Sequence, residues 1–378
     1  MAVTLRLTNT TFAISSHPLT PSVLFRASKS IGNKIASSSA RKVKMATFAV
    51  SDSETTSSST SRVIDSHLHI WASPQEAATY PYCPGQEPTL TGDVDFLLKN
   101  MEEARVDGAL IVQPINHKFD HSLVTSYGIS VLLPFFASMY MTMGWDVLLG
   151  HSVLKKYPSK FVGCCLANPA EDGSGIKHLE NLVLESNYRA VRFNPYLWPS
   201  GQKMTNAVGK ALFSKAGELG VPVGFMCMKG LDLHIAEIEE LCTEFPKTTV
   251  LLDHAGFCKV PEDGEAKLAY TQLMNLSRFP QVYVKFSALF RISRTGFPYQ
   301  DLSPLLSQLV SHFGANRVMW GSDFPFVVLE CGYKEAKEAV TIIAKEASLS
   351  SSEMDWILGK TLMQLFPGQW VCSSLRGL

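Results

Sequence analysis

Short apolar runs alternate with longer amphipathic segments along the chain from residue 62 onward. Eight of these runs have the length and the apolar character of buried strands. They cover residues 62–65, 108–113, 161–167, 189–194, 221–226, 249–254, 282–287 and 317–323. Helix-like segments such as ALFSKAGELG, which ends at Gly220, separate most of them. Eight strands alternating with helices predict a (β/α)8 barrel, and no Gly-x-Gly-x-x-Gly follows a strand to favour a dinucleotide-binding sheet.

Polar side chains gather at the carboxyl ends of the predicted strands, where a barrel of this kind carries its chemistry. They are His67 and His69 at the end of strand one, Arg192 in strand four, Asp253 and His254 at the end of strand six and Asp323 at the end of strand eight. Because side chains at i and i+2 of a strand point to the same side, we expect Asp65, His67 and His69 to share one face. The strand ends together predict an active site around the two histidines.

Charge divides the chain into two unequal parts. Residues 1–51 hold seven basic residues, many serines and threonines and no Asp or Glu, which is typical of an organelle transit peptide. The Met-Ala start favours a chloroplast, with a mitochondrion as the alternative, and SDSETTSSSTS at 51–61 resembles a solvated linker. The remaining chain carries 27 basic against 34 acidic residues, which gives no support for nucleic-acid binding. We therefore expect a transit peptide and linker at 1–61, the barrel at 62–367 and a tail at 368–378.

An apolar segment at 127–151 interrupts the predicted path from strand two to strand three. Asp146 is its only Asp, Glu, Lys or Arg, and its removal would join Ser126 to Ser152 within one ordinary amphipathic helix. Three interpretations remain open: an apolar lid over the active site, a membrane span, and extra coding sequence such as a retained intron. We favour the third, because a soluble barrel on both sides argues against a span and an exposed apolar segment promotes aggregation. No membrane span is expected.

Four motifs carry a resemblance to a known family. They are DSHLHIW at 65–71, VLLDHAG at 250–256, VYVKFSAL at 282–289 and VMWGSDFP at 318–325. In this order they resemble the amidohydrolase superfamily, and in particular its amidohydrolase-related branch of sugar lactonases, pyrone-dicarboxylate lactonases and aminocarboxymuconate-semialdehyde decarboxylase. The resemblance spans about residues 62–367 and includes the last helix, where Lys360 stands at the position of a usual Asn.

The resemblance implies a role for each matched residue. In that family the paired histidines and the aspartate after strand eight form the core of the site, and they map to His67, His69 and Asp323. A histidine after strand six contributes to catalysis or binding, and it maps to His254.

Two departures from the family bear on metal binding. The family often has a further histidine after strand five, where this chain has Met226, and Arg192 stands in strand four in place of a metal-bridging Lys or Glu. The resemblance therefore argues against two metal ions. It leaves open a single divalent ion such as zinc, held by His67, His69 and Asp323, or an activity that needs no metal.

The polar candidates suit the hydrolysis of an ester. Asp323 is our first choice for the general base that takes a proton from water, and the alternative is a carboxylate that caps the following turn. The histidines would bind a metal or polarise a substrate carbonyl. The structural alternative for His254 is a buried core histidine whose ring nitrogens are hydrogen-bonded within the protein.

Three further residues are candidates for contact with the substrate. Arg192 would clamp a carboxylate through its guanidinium, or else form a structural ion pair. Lys285 alternates with Val284 and Phe286, so it would point into the barrel mouth unless it extends to the surface. Trp71 would form the floor of the pocket or pack in the core.

The sequence thus predicts a chloroplast hydrolase that opens a lactone or related cyclic ester with water activated by Asp323. Its partner would be a small-molecule substrate that carries a carboxylate. Two alternatives remain open: a metal-dependent non-oxidative decarboxylase of the same family, and a family member that binds a metabolite or partner without catalysis.

Overall fold

A computed structural model of the chain describes residues 61–125, 153–262 and 267–370. The predicted transit peptide and nearly all of its linker, the apolar segment 127–151 and most of the tail lie outside the described residues.

Eight parallel strands form one sheet, and each strand pairs with the next one in the sequence. They are β1 (Ile64–Leu68), β2 (Gly108–Val112), β3 (Phe161–Leu166), β4 (Tyr188–Phe193), β5 (Val223–Phe225), β6 (Val250–Leu252), β7 (Val282–Ser287) and β8 (Val318–Gly321). At the remaining edge the backbone N–H of Asp323 donates to the carbonyl of His67 at 2.8 Å, and the N–H of His69 donates to the carbonyl of Phe324 at 2.7 Å. The sheet is a nearly closed (β/α)8 barrel, which confirms the prediction from the apolar pattern.

Helices lie between the strands and after the last one. They are α1 (Val94–Ala104), α2 (Ser122–Thr125), α3 (Val153–Lys156), α4 (Ser174–Glu185), α5 (Ala207–Glu218), α6 (Ile235–Glu244), α7 (Leu268–Asn275), α8 (Leu289–Ile292), α9 (Ser303–Phe313), α10 (Phe326–Glu330), α11 (Tyr333–Glu346), α12 (Ser351–Asp355) and α13 (Thr361–Leu365). Within the described ranges, none of them has the length and apolar character needed to cross a membrane.

Helix α1 shows how the sequence sets these elements. The Asp93 carboxylate caps its first turn by accepting from two backbone N–H groups, and Leu97, Met101 and Ala104 bury one face at helical spacing. The helix ends at Arg105, whose left-handed backbone turns the chain toward β2.

The core has two parts, one inside the barrel and one between the barrel and its helices. The inner part, called the barrel floor below, contains Ile64, Leu110, Val112, Val162, Cys164, Ala190, Leu251 and Met319 from the strands, and Leu362, Phe366 and Trp370 from the C-terminal segment. The adjacent Cys165 belongs instead to the outer part, because neighbouring strand residues point to opposite faces. The floor therefore closes one end of the barrel and leaves the carboxyl ends of the strands for polar groups.

Candidate active site

Strand β1 carries a β-bulge that decides where its polar residues point. Between Asp65 and Leu68 the register with β2 shifts by one residue. A bulge breaks the alternation of side chains, so the expectation that Asp65, His67 and His69 share one face is wrong for Asp65.

The Asp65 carboxylate instead ties β1 to β8 and to the outer helices. It accepts from the backbone N–H of His67 at 2.9 Å, from that of Ser322 at 3.0 Å and from the hydroxyl of Tyr333 on α11 at 3.0 Å. Burial outweighs these hydrogen bonds and raises the pKa of Asp65 to about 6. Asp65 thus holds the backbone of His67 in place from the side opposite the site.

His67 and His69 come together, as their spacing predicts. Their Nε2 atoms are 3.4 Å apart, and their rings meet edge to face. His69 Nδ1 lies 2.7 Å from the carbonyl oxygen of Val112, which fixes the ring and turns Nε2 toward the site. Asp323 Oδ1 lies 3.4 Å from His69 Nε2 and 4.0 Å from His67 Nε2.

The second oxygen of Asp323 is bound by an arginine. Arg291 Nε donates to Asp323 Oδ2 at 2.7 Å, and its guanidinium lies 4.8 Å from the ring centres of both Phe290 and Phe326. Burial alone would raise the pKa of Asp323, but contact with His69 and the charge of Arg291 outweigh burial and hold it far below its ordinary value. Asp323 is therefore ionised at any pH near neutral.

His254 lies on the other side of His67. The two ring centres are 4.4 Å apart, and His254 Nδ1 is 2.8 Å from the hydroxyl oxygen of Ser287. Burial lowers the pKa of His254 to about 4, and the carboxylates of Asp323 and Asp253 offset this only in part. His254 is thus a neutral imidazole near pH 7, able to donate or accept one hydrogen bond through its second nitrogen.

The backbone is strained at both of these strand ends. His254 has φ 53° and Asp323 has φ 64°, in the left-handed region that residues other than glycine seldom adopt. Such conformations cost on the order of 1–3 kcal/mol each and collect at functional sites. The strain is a further sign that the two side chains are held in place for a function.

A buried ion cluster adjoins His67. Arg192 Nε donates to Asp253 Oδ2 at 2.9 Å, and Lys285 Nζ lies 3.0 Å from Asp253 Oδ1. Arg192 therefore forms the ion pair that the sequence left open, and Lys285 points into the barrel, where it is 1% exposed. Burial opposes ionisation of Asp253, but Lys285, His67 and Arg192 outweigh it and hold the Asp253 pKa well below its usual value. Contact of either cation with a substrate stays a prediction.

The ring of Phe326 lies between Trp71 and the site. Trp71 Nε1 donates to the carbonyl oxygen of Leu90 at 2.8 Å, and the Trp71 ring centre is 5.7 Å from that of Phe326. The ring of Phe326 in turn lies 6.1 Å from that of His69. A role for Trp71 as the floor of a substrate pocket stays a prediction.

The donor set fits a single divalent cation. The His67 Nε2, His69 Nε2 and Asp323 Oδ1 atoms form a triangle with sides of 3.4, 3.4 and 4.0 Å. A point equidistant from all three lies about 2.1 Å from each, which matches zinc bonds to imidazole nitrogen and carboxylate oxygen. The ligand-capable atoms of His67, His254 and Asp323 also lie within 4.8 Å of one another, so His254 is a further candidate ligand.

Sequence reasoning placed Asp253 at a strand end without giving it a role, and it missed Arg291. Asp253 directly precedes His254, and its inward direction follows from Leu251 two residues earlier, which lies in the barrel floor. Arg291 had no comparable signal, because Arg294 follows it three residues later and nothing in the sequence distinguishes the two.

Comparison with known proteins identifies the family of this chain. The model of the amidohydrolase family matches residues 64–367, which covers the whole barrel. The chain belongs to the amidohydrolase family.

Individual relatives cover smaller parts of the chain. The 4-sulfomuconolactone hydrolase of Hydrogenophaga intermedia is 34% identical over 111 residues, which are 28% of this chain and 35% of the relative. The L-fucono-1,5-lactonase of Burkholderia multivorans is 28% identical over 141 residues, 35% of this chain and 47% of the relative. The chain thus matches between about a third and a half of the length of these curated relatives.

Among solved structures, the chain is similar to one from Acinetobacter baumannii described as a probable 2-pyrone-4,6-dicarboxylic acid hydrolase with citric acid bound. The TM-score is 0.60 at 16% identity, over 81% of this chain and 99% of that one. At this level of identity the match supports the barrel fold alone.

Proposed function

We propose that this protein is a hydrolase that opens a lactone or related cyclic ester. The observation that carries the proposal is the ionised Asp323 carboxylate, which lies beside His67 and His69 where β8 meets β1. The names of the curated relatives, a sulfomuconolactone hydrolase and a fuconolactonase, support the same class of reaction.

Each residue has a step in the proposed reaction. Asp323 accepts the proton of a water molecule as that water attacks the ester carbonyl, and it returns the proton to the ring oxygen when the oxyanion collapses and the ring C–O bond breaks. Burial lowers the pKa of His67 well below its usual value, so it serves as a neutral hydrogen-bond donor to the carbonyl oxygen and then to the oxyanion. His254, also neutral, stands 4.4 Å from the ring of His67 and orients the water or shares the oxyanion.

We extend the proposal to one divalent cation at His67, His69 and Asp323, with zinc as the first candidate. Such an ion would lower the pKa of a bound water and polarise the carbonyl. Metal analysis of the purified protein tests this point. Stoichiometric zinc and activity lost on chelation would support it, and full activity in metal-free protein would leave His67 as a hydrogen-bond donor without a metal.

The proposed substrate carries an anionic group. Two guanidinium groups lie at the site: Arg192, which is nearly buried, and Arg291, whose side chain is 33% exposed. Guanidinium binds carboxylate and sulfonate groups through parallel hydrogen bonds. The name 4-sulfomuconolactone describes an anionic ring compound, which supports this choice of class.

A lactone panel with a pH indicator tests the proposed activity. The panel pairs neutral sugar lactones with lactones that carry a carboxylate or sulfonate, and we expect acid release with the anionic group. Asp323→Asn should abolish the signal, whereas Asp172→Asn, the same change at an exposed position, should leave it intact. Release of CO₂ from an aromatic acid would show the decarboxylase instead, and binding without turnover would show a non-catalytic family member.

We also propose that residues 1–61 address the protein to the chloroplast. Support comes only from their basic, hydroxyl-rich and acid-free composition up to residue 51. Residues 1–61 fused to a fluorescent reporter should enter plastids, and a cytosolic signal would contradict the proposal.

A further inference from the structure

One ring nitrogen of His67 faces two groups of opposite hydrogen-bonding character. His67 Nδ1 lies 3.3 Å from Lys285 Nζ and 3.2 Å from Asp253 Oδ1, and those two atoms are 3.0 Å apart. All three residues are at most 1% exposed, so no bulk water is available to satisfy them. An ammonium group only donates and a carboxylate only accepts, so Nδ1 can satisfy one neighbour at a time.

A line of hydrogen bonds shows which neighbour is satisfied. It runs from Lys285 Nζ to His67 Nδ1, from His67 Nε2 to His69 Nε2 at 3.4 Å, and from His69 Nδ1 to the carbonyl oxygen of Val112 at 2.7 Å. The carbonyl only accepts, so His69 carries a hydrogen on Nδ1, and its Nε2 is left to accept from His67. Lys285 only donates, so His67 accepts on Nδ1. Both ends of the line therefore place the hydrogen of His67 on Nε2.

Asp253 Oδ1 accepts no hydrogen from His67 in this arrangement. Oδ1 is ion-paired with Lys285 Nζ at 3.0 Å, but within the described part of the chain it accepts no hydrogen bond of good geometry, whereas Asp253 Oδ2 accepts from Arg192. Oδ1 also lies 3.2 Å from His67 Nδ1. A carboxylate oxygen can accept more than one hydrogen bond, so the ion pair with Lys285 leaves Oδ1 able to accept another. Asp253 Oδ1 is the acceptor that His67 would need if its hydrogen moved to Nδ1.

We propose that Lys285 and Asp253 are positioning residues that select the tautomer of His67, and with it the kind of ligand that the site accepts. With Lys285 as partner, His67 presents an Nε2–H that donates to a substrate oxygen. With Asp253 as partner, His67 presents an Nε2 lone pair that binds a divalent cation, in the carboxylate–histidine–metal arrangement common to zinc sites. The inference rests on the proposed active site, and its tests do not depend on turnover.

Zinc affinity provides the first test, because the two positioning residues should act in opposite directions. Lys285→Met removes the competing donor and should tighten zinc binding about tenfold or more. Asp253→Asn weakens the acceptor and should loosen zinc binding by roughly 10- to 100-fold, the usual effect of losing such a partner. Lys285→Gln is the matched control, because it also removes the charge but keeps an N–H donor, and it should stay near the wild type. Affinity is measured by competition with a chromophoric chelator on protein shown to be folded by circular dichroism.

Nitrogen-15 NMR of the histidine rings provides the second test and needs neither zinc nor a substrate. His67, identified by its absence in His67→Gln, should carry its hydrogen on Nε2 in the metal-free wild type and in Lys285→Gln, and on Nδ1 in Lys285→Met. The same tautomer in the wild type and Lys285→Met would overturn the proposal, as would zinc affinities that shift in the same direction in Lys285→Met and Asp253→Asn. Failure of every variant to bind zinc would remove the metal-binding half of it. A lactone panel without turnover would contradict the proposed function and leave these results standing.

Discussion

The same strands carry two layers of opposite character inside the barrel. In the barrel floor, Ala190 and Leu251 pack against other apolar side chains. Two residues further along the same strands, Arg192 and Asp253 form an ion pair at 2.9 Å. We call the second group, with His67, Lys285 and Asp323, the polar layer.

Burial does not distinguish the two layers, because both are almost completely withdrawn from water. The floor lowers the free energy of folding by about 25 cal/mol for each Å² of apolar surface that it removes from water. The polar layer must first lose the hydration of its charges, and a buried ion pair often repays no more than that cost. We infer that the floor is retained for stability and the polar layer for function, and that substitutions should separate the two.

The two layers should differ most in their effect on turnover for substitutions on β8 and in the residues that follow it. Asp323→Asn should lower kcat/KM by at least ~10²-fold, the low end for loss of a general base. Met319→Leu, a volume-conserving change in the floor, should cost less than about 1.5 kcal/mol of stability and leave turnover unchanged. Kinetics and urea unfolding of both variants measure the contrast. Unchanged kinetics in folded Asp323→Asn would remove this residue from the reaction.

Along β6 the two layers should differ in how stability can be recovered. Leu251→Ala opens a cavity and should cost about 2–5 kcal/mol. Asp253→Leu should cost a similar amount, about 3–5 kcal/mol, because it leaves buried cations unpaired. Addition of Lys285→Met to Asp253→Leu should restore part of that stability without restoring activity. If the double variant were both stable and active, the ion cluster would be dispensable for function.

A smaller effect is expected where the backbone of β8 approaches the site. A Cβ at Gly321 would lie 2.9 Å from the His67 Cβ and from its backbone nitrogen, so Gly321→Ala must displace His67. We expect turnover to fall by roughly tenfold, with a stability loss of about 1–3 kcal/mol. The matched control is Gly224→Ala on β5, where the nearest atom to the new Cβ is 3.8 Å away. Equal kinetics in the two variants would show that the position of His67 is not critical.

Much of the barrel follows from the sequence, since each of the eight predicted apolar runs overlaps an observed strand. The ends of the predicted runs differ from those of the observed strands where apolar residues continue beyond the last residue that is hydrogen-bonded in the sheet. The run at 221–226, for example, contains the shorter strand Val223–Phe225. Strand β1 extends beyond its predicted run instead. It continues to Leu68, because His67 lies within the strand rather than after it.

The site was predicted only in part, for physical reasons. His67, His69, His254 and Asp323 follow from motifs at strand ends. The β-bulge that turns Asp65 away depends on the register between β1 and β2, which a single sequence does not reveal. Arg291 and the contacts of Lys285 depend on how loops and strands meet across the barrel. The interpretation of 127–151 as extra coding sequence stays a prediction, since that segment lies outside the described residues.

The fate of the attacking water tests the central claim most directly. Hydrolysis of the accepted lactone in ¹⁸O-labelled water should place one ¹⁸O in the new carboxylate and none in the released hydroxyl, because water activated by Asp323 attacks the carbonyl carbon. Mass spectrometry of the product and its fragments separates the two positions. Label in the hydroxyl, or a product formed without uptake of label, would contradict the account.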